Sequence, residues 1–184
     1  LIAGAIGLAI VCVFMCWVYL LPGLASSLAL ILYTELILIL LNAFDITLTL
    51  PGIAGIILGI GMAVDANVIV FARVREEIAT GKSVQTSMKI GFQKAMSAIL
   101  DGNITTLIAS VVLMALGSGT VKGFAYTLMI GIILSLFTAM VVTRYILYSL
   151  YALGLKSEKL YGRAKERKSI DFIGKKAVFF TISG

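Results

Sequence analysis

Asp65 is the residue whose type and place in this sequence could do chemistry. It sits in the run Pro51-Gly-Ile-Ala-Gly-Ile-Ile-Leu-Gly-Ile-Gly-Met-Ala-Val-Asp65-Ala-Asn67-Val-Ile-Val-Phe-Ala-Arg73, where it is the first charge after Asp45. Counted as helix from Ile53, the twelve residues to Asp65 rise about 18 Å, which sets the carboxyl well inside a hydrocarbon layer about 30 Å thick. An ionisable group at that depth costs at least about 2.5 kcal/mol on insertion scales and is by default a functional residue. Desolvation raises the pKa of a buried carboxyl, so reversible protonation near neutral pH comes within reach. The chemistry expected of Asp65 is proton carriage. The plainer alternative is an Asp that only hydrogen-bonds a neighbouring helix.

Other polar residues are candidates to support it. Asn67, two residues on, points away from Asp65 on a helix and reads as an interhelical hydrogen-bonding residue. Asp101 and Thr105 share a face at i, i+4; Asp101 reads either as an acid at a helix N-terminus, favoured by the macrodipole, or, with Thr105 and Thr106, as part of a hydrophilic path towards Asp65. Glu35 stands in the middle of an apolar run without a partner in sequence, so it either faces a polar interior or is protonated. Arg144 is placed to snorkel to the interface. Gly55, Gly59 and Gly61, and a second stripe of Gly123, Thr127, Gly131, Ser135 and Ala139 at intervals of four, read as close helix packing.

The composition says what must position these residues. Only 13% of the 184 residues are charged, 60% are hydrophobic and the mean hydropathy is +1.09, where a soluble domain carries about 25% charged residues. Residues 1–34, 46–64, 102–121 and 123–143 carry no charge. The fold class expected is all-α, a polytopic membrane helix bundle with five spanning helices at about 1–20, 24–43, 53–73, 103–117 (or starting earlier) and 123–150. Pro22 and Pro51, each in a Leu-Pro-Gly triplet, mark breaks between the first three. An amphipathic helix at about 84–100 is expected to lie along the membrane surface, with Val84, Met88, Phe92, Ala95, Met96 and Ile99 on its apolar face.

Charge also orients the chain. The segment 73–102 and the tail 151–171 hold eleven Lys and Arg, whereas the opposite side holds Lys122. The positive-inside rule puts both segments in the cytoplasm. With no histidine and two cysteines four apart, Cys12 and Cys16, there is no material for a zinc site, haem or Ser-His-Asp triad, and no CxxC motif; the cysteines read as packing residues. No metal, cofactor or nucleic-acid partner is expected, and the basic balance reports topology.

Leu48-Thr-Leu-Pro-Gly-Ile-Ala-Gly, Gly61-Met-Ala-Val-Asp-Ala-Asn-Val-Ile-Val-Phe and Arg75-Glu-Glu closely resemble the fourth spanning helix of SecD, the bacterial protein-export membrane protein. Ile99-Leu-Asp-Gly-Asn-Ile-Thr-Thr-Leu-Ile-Ala and Val121-Lys-Gly-Phe-Ala-Tyr-Thr-Leu-Met-Ile-Gly resemble that family's fifth and sixth helices, and Leu21-Pro-Gly-Leu-Ala its turn between the second and third. The tail Ile170-Asp-Phe-Ile-Gly-Lys-Lys is similar to the start of SecF, so the parent resembles a fused SecD and SecF chain. The resemblance implies five helices of a six-helix RND-type half (resistance, nodulation, division) over 1–151, a basic cytoplasmic linker over 152–171, and the start of a SecF-like half over 172–184. It implies a bacterial plasma membrane protein, not an enzyme, with protons as coupling ion. The implied partners are a SecF half, the SecYEG channel, the translocating polypeptide and the lipid bilayer. Asp65 matches the family's intramembrane aspartate, while Leu20 and Ala72 stand where an Arg and a Glu are common. The alternatives are an RND-type drug or lipid exporter half, whose signatures Asp65-Ala66-Asn67 does not fit, an intramembrane aspartyl protease, whose Asp would directly follow the second Gly, and a non-transporting scaffold.

Overall fold

The computed structural model describes residues 2–46, 49–155 and 158–161, and among them there are helices and no strands. The helices are α1 (Ile2–Tyr19), α2 (Leu21–Ala43), α3 (Leu50–Ala79), α4 (Val84–Leu116), α5 (Thr120–Phe137) and α6 (Thr143–Ala152). A π-helical turn, Thr138–Val142, joins α5 to α6, and a 3₁₀ turn, Glu158–Tyr161, follows. Of the linker expected over 152–171, residues 152–155 and 158–161 are described, and the SecF-like start expected over 172–184 lies outside the described residues.

Both Leu-Pro-Gly triplets mark helix boundaries, and each does so by opening the helix that follows. Pro22 and Pro51 occupy the first turn, where a missing N–H breaks no intrahelical bond, so α2 starts at Leu21 and α3 at Leu50, three residues before the expected 24 and 53. The reversal between α1 and α2 is a single residue, Leu20 at φ 53. Thr49 caps α3 by accepting the Gly52 N–H at 3.1 Å, and Ser83 caps α4 by accepting the Thr86 N–H at 3.4 Å.

The largest departure from the sequence reading is α4. The amphipathic stretch 84–100 and the span expected from 103 are one helix of 33 residues. The apolar residues of the first half do not face lipid headgroups: Val84, Met88, Phe92, Ala95 and Ile99 are buried against Val70, Phe71, Val74 and Ile78 of α3. At 1.5 Å per residue, α3 and α4 are about 45 and 50 Å long, so the hairpin exceeds a hydrocarbon layer of about 30 Å. Its tip is tied by Glu77, whose carboxylate accepts from Lys82 in the turn and from Lys94 on α4.

Among the described residues, four helices are long and apolar enough to cross a membrane: α2, α3, α4 and the continuous run Thr120–Ala152. The expected fifth, α1, contributes the shorter apolar run Ile6–Tyr19. Between α3 and α5, which lie parallel, the two small-residue stripes meet. A methyl added at Gly55 would collide with Thr127 Oγ1, and one added at Gly59 would lie 3.5 Å from the Gly131 Cα. The spacing of four on each helix thus becomes one backbone-to-backbone contact line, as small residues allow in membranes. Cys16 and Ser27, 3.4 Å apart, belong to the α1–α2 contact, consistent with cysteines used for packing.

Candidate functional site at the middle of helix α3

Asp65 is the sixteenth of the 30 residues of α3. Its side chain is exposed on the outer face of the bundle, one turn from Gly61, where an added methyl would meet no atom within 4 Å. Two expectations change here. The burial foreseen for Asp65 is not supplied by the described residues, and a methyl at Gly61 would meet none of them within 4 Å, because both positions lie off the face of α3 that Gly55 and Gly59 turn towards α5.

Asn67 behaves as its spacing suggests. Two residues from Asp65 it turns inward and is 2% exposed. Its Nδ2 donates to the Ala63 carbonyl at 3.1 Å, and its Oδ1 accepts from Thr143 Oγ1 at 2.9 Å. Sequence reasoning misses Thr143. It lies 76 residues away, and its bearing depends on the π turn, for which the sequence carries no signal.

Asp101 is not at a helix start. It is the eighteenth residue of α4, so no macrodipole favours it. A methyl added at Gly91 would lie 2.8 Å from the Val74 backbone nitrogen, so α3 and α4 touch there. Nine residues from that contact stand Asp65 on α3 and Leu100 on α4, which sets Asp65 and Asp101 at about the same depth on antiparallel neighbours. Asp101 and Thr105 are exposed and Thr106 half-buried; Thr105 Oγ1 donates to the Gly102 carbonyl at 3.3 Å, and the Thr106 carbonyl accepts from Ser110. No hydrogen bond between described residues connects this set to Asp65. Glu35 also faces outward from α2, not into a polar interior.

Arg144 is exposed, and its guanidinium lies 5.9 Å from the Phe92 ring and 5.7 Å from that of Tyr148, one turn further along. A second arginine has no signal in sequence. Arg75 donates to the Val18 carbonyl at the end of α1 (2.6 Å) and to the Tyr161 carbonyl (3.4 Å), and lies 4.5 Å over the Tyr19 ring. Leu20 and Ala72, the positions that depart from the SecD pattern, are exposed and take no part in this knot. Among the described residues no group of His, Cys, Asp and Glu could hold a metal ion.

Long apolar helices, backbone-to-backbone glycine contacts and a lone carboxylate halfway along the central helix define an all-α membrane helix bundle. The family model described as "Protein export membrane protein SecD/SecF, C-terminal" matches residues 1–152, and the chain belongs to that family. It is 53% identical over 148 residues to a protein translocase subunit SecD of Acidaminococcus fermentans, covering 80% of this chain and 36% of that protein. It is 52% identical over 147 residues to the SecD of a Synechocystis species, covering 80% and 31%. The crystal structure of SecDF, titled a translocon-associated membrane protein, from Thermus thermophilus is similar with a TM-score of 0.80 and 34% identity, over 98% of this chain and 25% of that one. The chain thus spans about a third of these SecD relatives. Their names are those of a transport component, not an enzyme.

Proposed function

We propose that this chain is the membrane portion of a SecD-type protein-export subunit in the bacterial plasma membrane, and that Asp65 carries protons whose downhill movement assists translocation of secreted polypeptides. The observation that carries the reading is the mid-helix position of Asp65 on an open face, in a family of protein-export membrane proteins. A carboxylate in a span demands a partner or a path. The open faces of α3 and α4 are where a SecF half would supply one, with Asp101 at the same depth and Thr105 and Thr106 about one turn further along α4 as the polar path. SecYEG is the channel served, the proton the coupling ion, and the 80–83 turn and the tail lie in the cytoplasm.

Protonation acts mechanically only if two arrangements of the helices differ in their contacts with Asp65. The test is Asp65→Asn in the full-length protein. Export in cells and proton flux into proteoliposomes are both expected to fall to background, and normal values of both would remove Asp65 from the mechanism.

A further inference from the structure

Ser135, Thr138 and Thr143 form a buried line of hydroxyls that crosses the π turn, each at most 1% exposed. In an α-helix, residues five apart lie about 140° apart around the axis, so Thr138 and Thr143 would face different neighbours. A π turn closes i→i+5 and brings them to the same side. Ser135 donates to the Ile132 carbonyl and Thr138 to those of Leu134 and Ser135, so both are satisfied within their own helix. Thr143 instead crosses to α3 and donates to Asn67 Oδ1 at 2.9 Å. The Asn67 amide has no freedom to turn, because its Nδ2 is bound to the Ala63 carbonyl.

We propose that Thr143 and Asn67 are positioning residues for Asp65: their hydrogen bond, held in register by the π turn, fixes the rotation of α3 so that the Asp65 carboxylate points out of the bundle. The inference rests on Asp65 as the proton carrier, but the geometry is separable from it. With Asn67 held inward, the roughly 200° that two residues subtend directs Asp65 outward. Single-turn π elements inside long helices are rare and occur frequently at functional sites, which fits one whose end residue makes this bond. Among the described residues, the charged groups on elements packed against α3 are Glu35 on α2, Lys82, Lys89, Lys94 and Asp101 about the α4 hairpin, Lys122 on α5 and Arg144 on α6. None of them bonds to Thr143 or Asn67.

The test uses the full-length protein in proteoliposomes and dicyclohexylcarbodiimide, which modifies protonated carboxyls in apolar surroundings; modification of Asp65 is read by mass spectrometry across pH. Thr143→Val, nearly isosteric, is expected to shift the midpoint of Asp65 labelling and to lower proton flux about fivefold, a loss in keeping with one buried hydrogen bond. Thr143→Ser is expected to restore both. If Asp65→Asn leaves flux intact while Thr143→Val still shifts the labelling midpoint, the carrier reading falls and the positioning stands. An unchanged midpoint in both Thr143→Val and Thr143→Ala, with wild-type flux, overturns the positioning role. A fall in flux that Thr143→Ser does not reverse, with the midpoint unmoved, overturns it equally and leaves a packing residue.

Discussion

Tyr33 sets a tight single-atom constraint in the interior. Its hydroxyl is fully buried, has no hydrogen-bond partner among the described residues, and occupies the notch made by Gly59 and Gly131. A methyl at position 59 would overlap the Tyr33 Oη but would stand 3.6 Å from Cζ, an ordinary contact. Gly59→Ala is therefore expected to destabilise the bundle by about 1–3 kcal/mol, as overpacking does. Tyr33→Phe removes an unpartnered buried hydroxyl and is expected to be neutral or stabilising alone, and to cancel most of the Gly59→Ala loss in the double variant. Thermal unfolding of the four proteins in one detergent checks this, and additive effects would disprove the notch. The glycines are legible in the sequence because an interval of four on a helix is a face, and Asp65 because a charge among apolar residues needs no structure to be noticed. Tyr33 is not, since nothing in sequence says which aromatic ring fills a gap between two other helices.

Element boundaries are harder to read, and α4 shows why. The run Asp101-Gly102-Asn103 resembles a helix start, and the amphipathic pattern before it resembles a surface helix. Both signals are local, while continuity is decided by α3, whose Val70, Phe71 and Val74 offer the first half of α4 an apolar face. Once buried there, the helix has no reason to bend at Gly102, and Asn103 donates to the Ile99 carbonyl at 2.7 Å without interrupting it. Gly102 has open space where a methyl would go. Gly102→Ala is thus expected to stabilise the bundle by about 0.5–1 kcal/mol through helix propensity alone. Gly102→Pro is expected to cost about 3 kcal/mol, because it removes an interior hydrogen bond and clashes with the preceding turn. A break between two helices would tolerate the proline, so equal melting temperatures for the wild type and Gly102→Pro would show that α4 is not continuous. Pro22 and Pro51 show the reverse case: each does mark a boundary, yet a proline in the first turn opens a helix as readily as it ends one.

The described residues form two unlike ends, and their charges predict an orientation in the membrane. At one end a cleft is lined by Phe44, Asp45, Thr49, Gly119 and Lys122, so the α2–α3 and α4–α5 connections lie together. At the other end Arg75 binds the carbonyls of Val18 and Tyr161, gathering the end of α1, the hairpin of α3 and α4, and the chain after α6. Five of the described cations, Arg73, Arg75, Lys82, Lys89 and Lys94, belong to the second end, and Lys122 alone to the first. By the positive-inside rule the Arg75 end is expected to face the cytoplasm, because positively charged loops resist transfer across the membrane. Glu76 and Glu77 reduce the net charge there without weakening the rule, which counts Lys and Arg and gives acids little weight. Helix lengths agree with this expectation: α3 and α4 exceed about 30 Å of hydrocarbon, and the overhang is expected at the end where Glu77 clamps Lys82 and Lys94. Two single cysteines in the full-length protein test this directly. In closed inside-out vesicles, an impermeant maleimide is expected to label Lys82→Cys and to spare Ser118→Cys until detergent is added. The opposite pattern would invert the bundle, and with it the side from which a proton reaches Asp65.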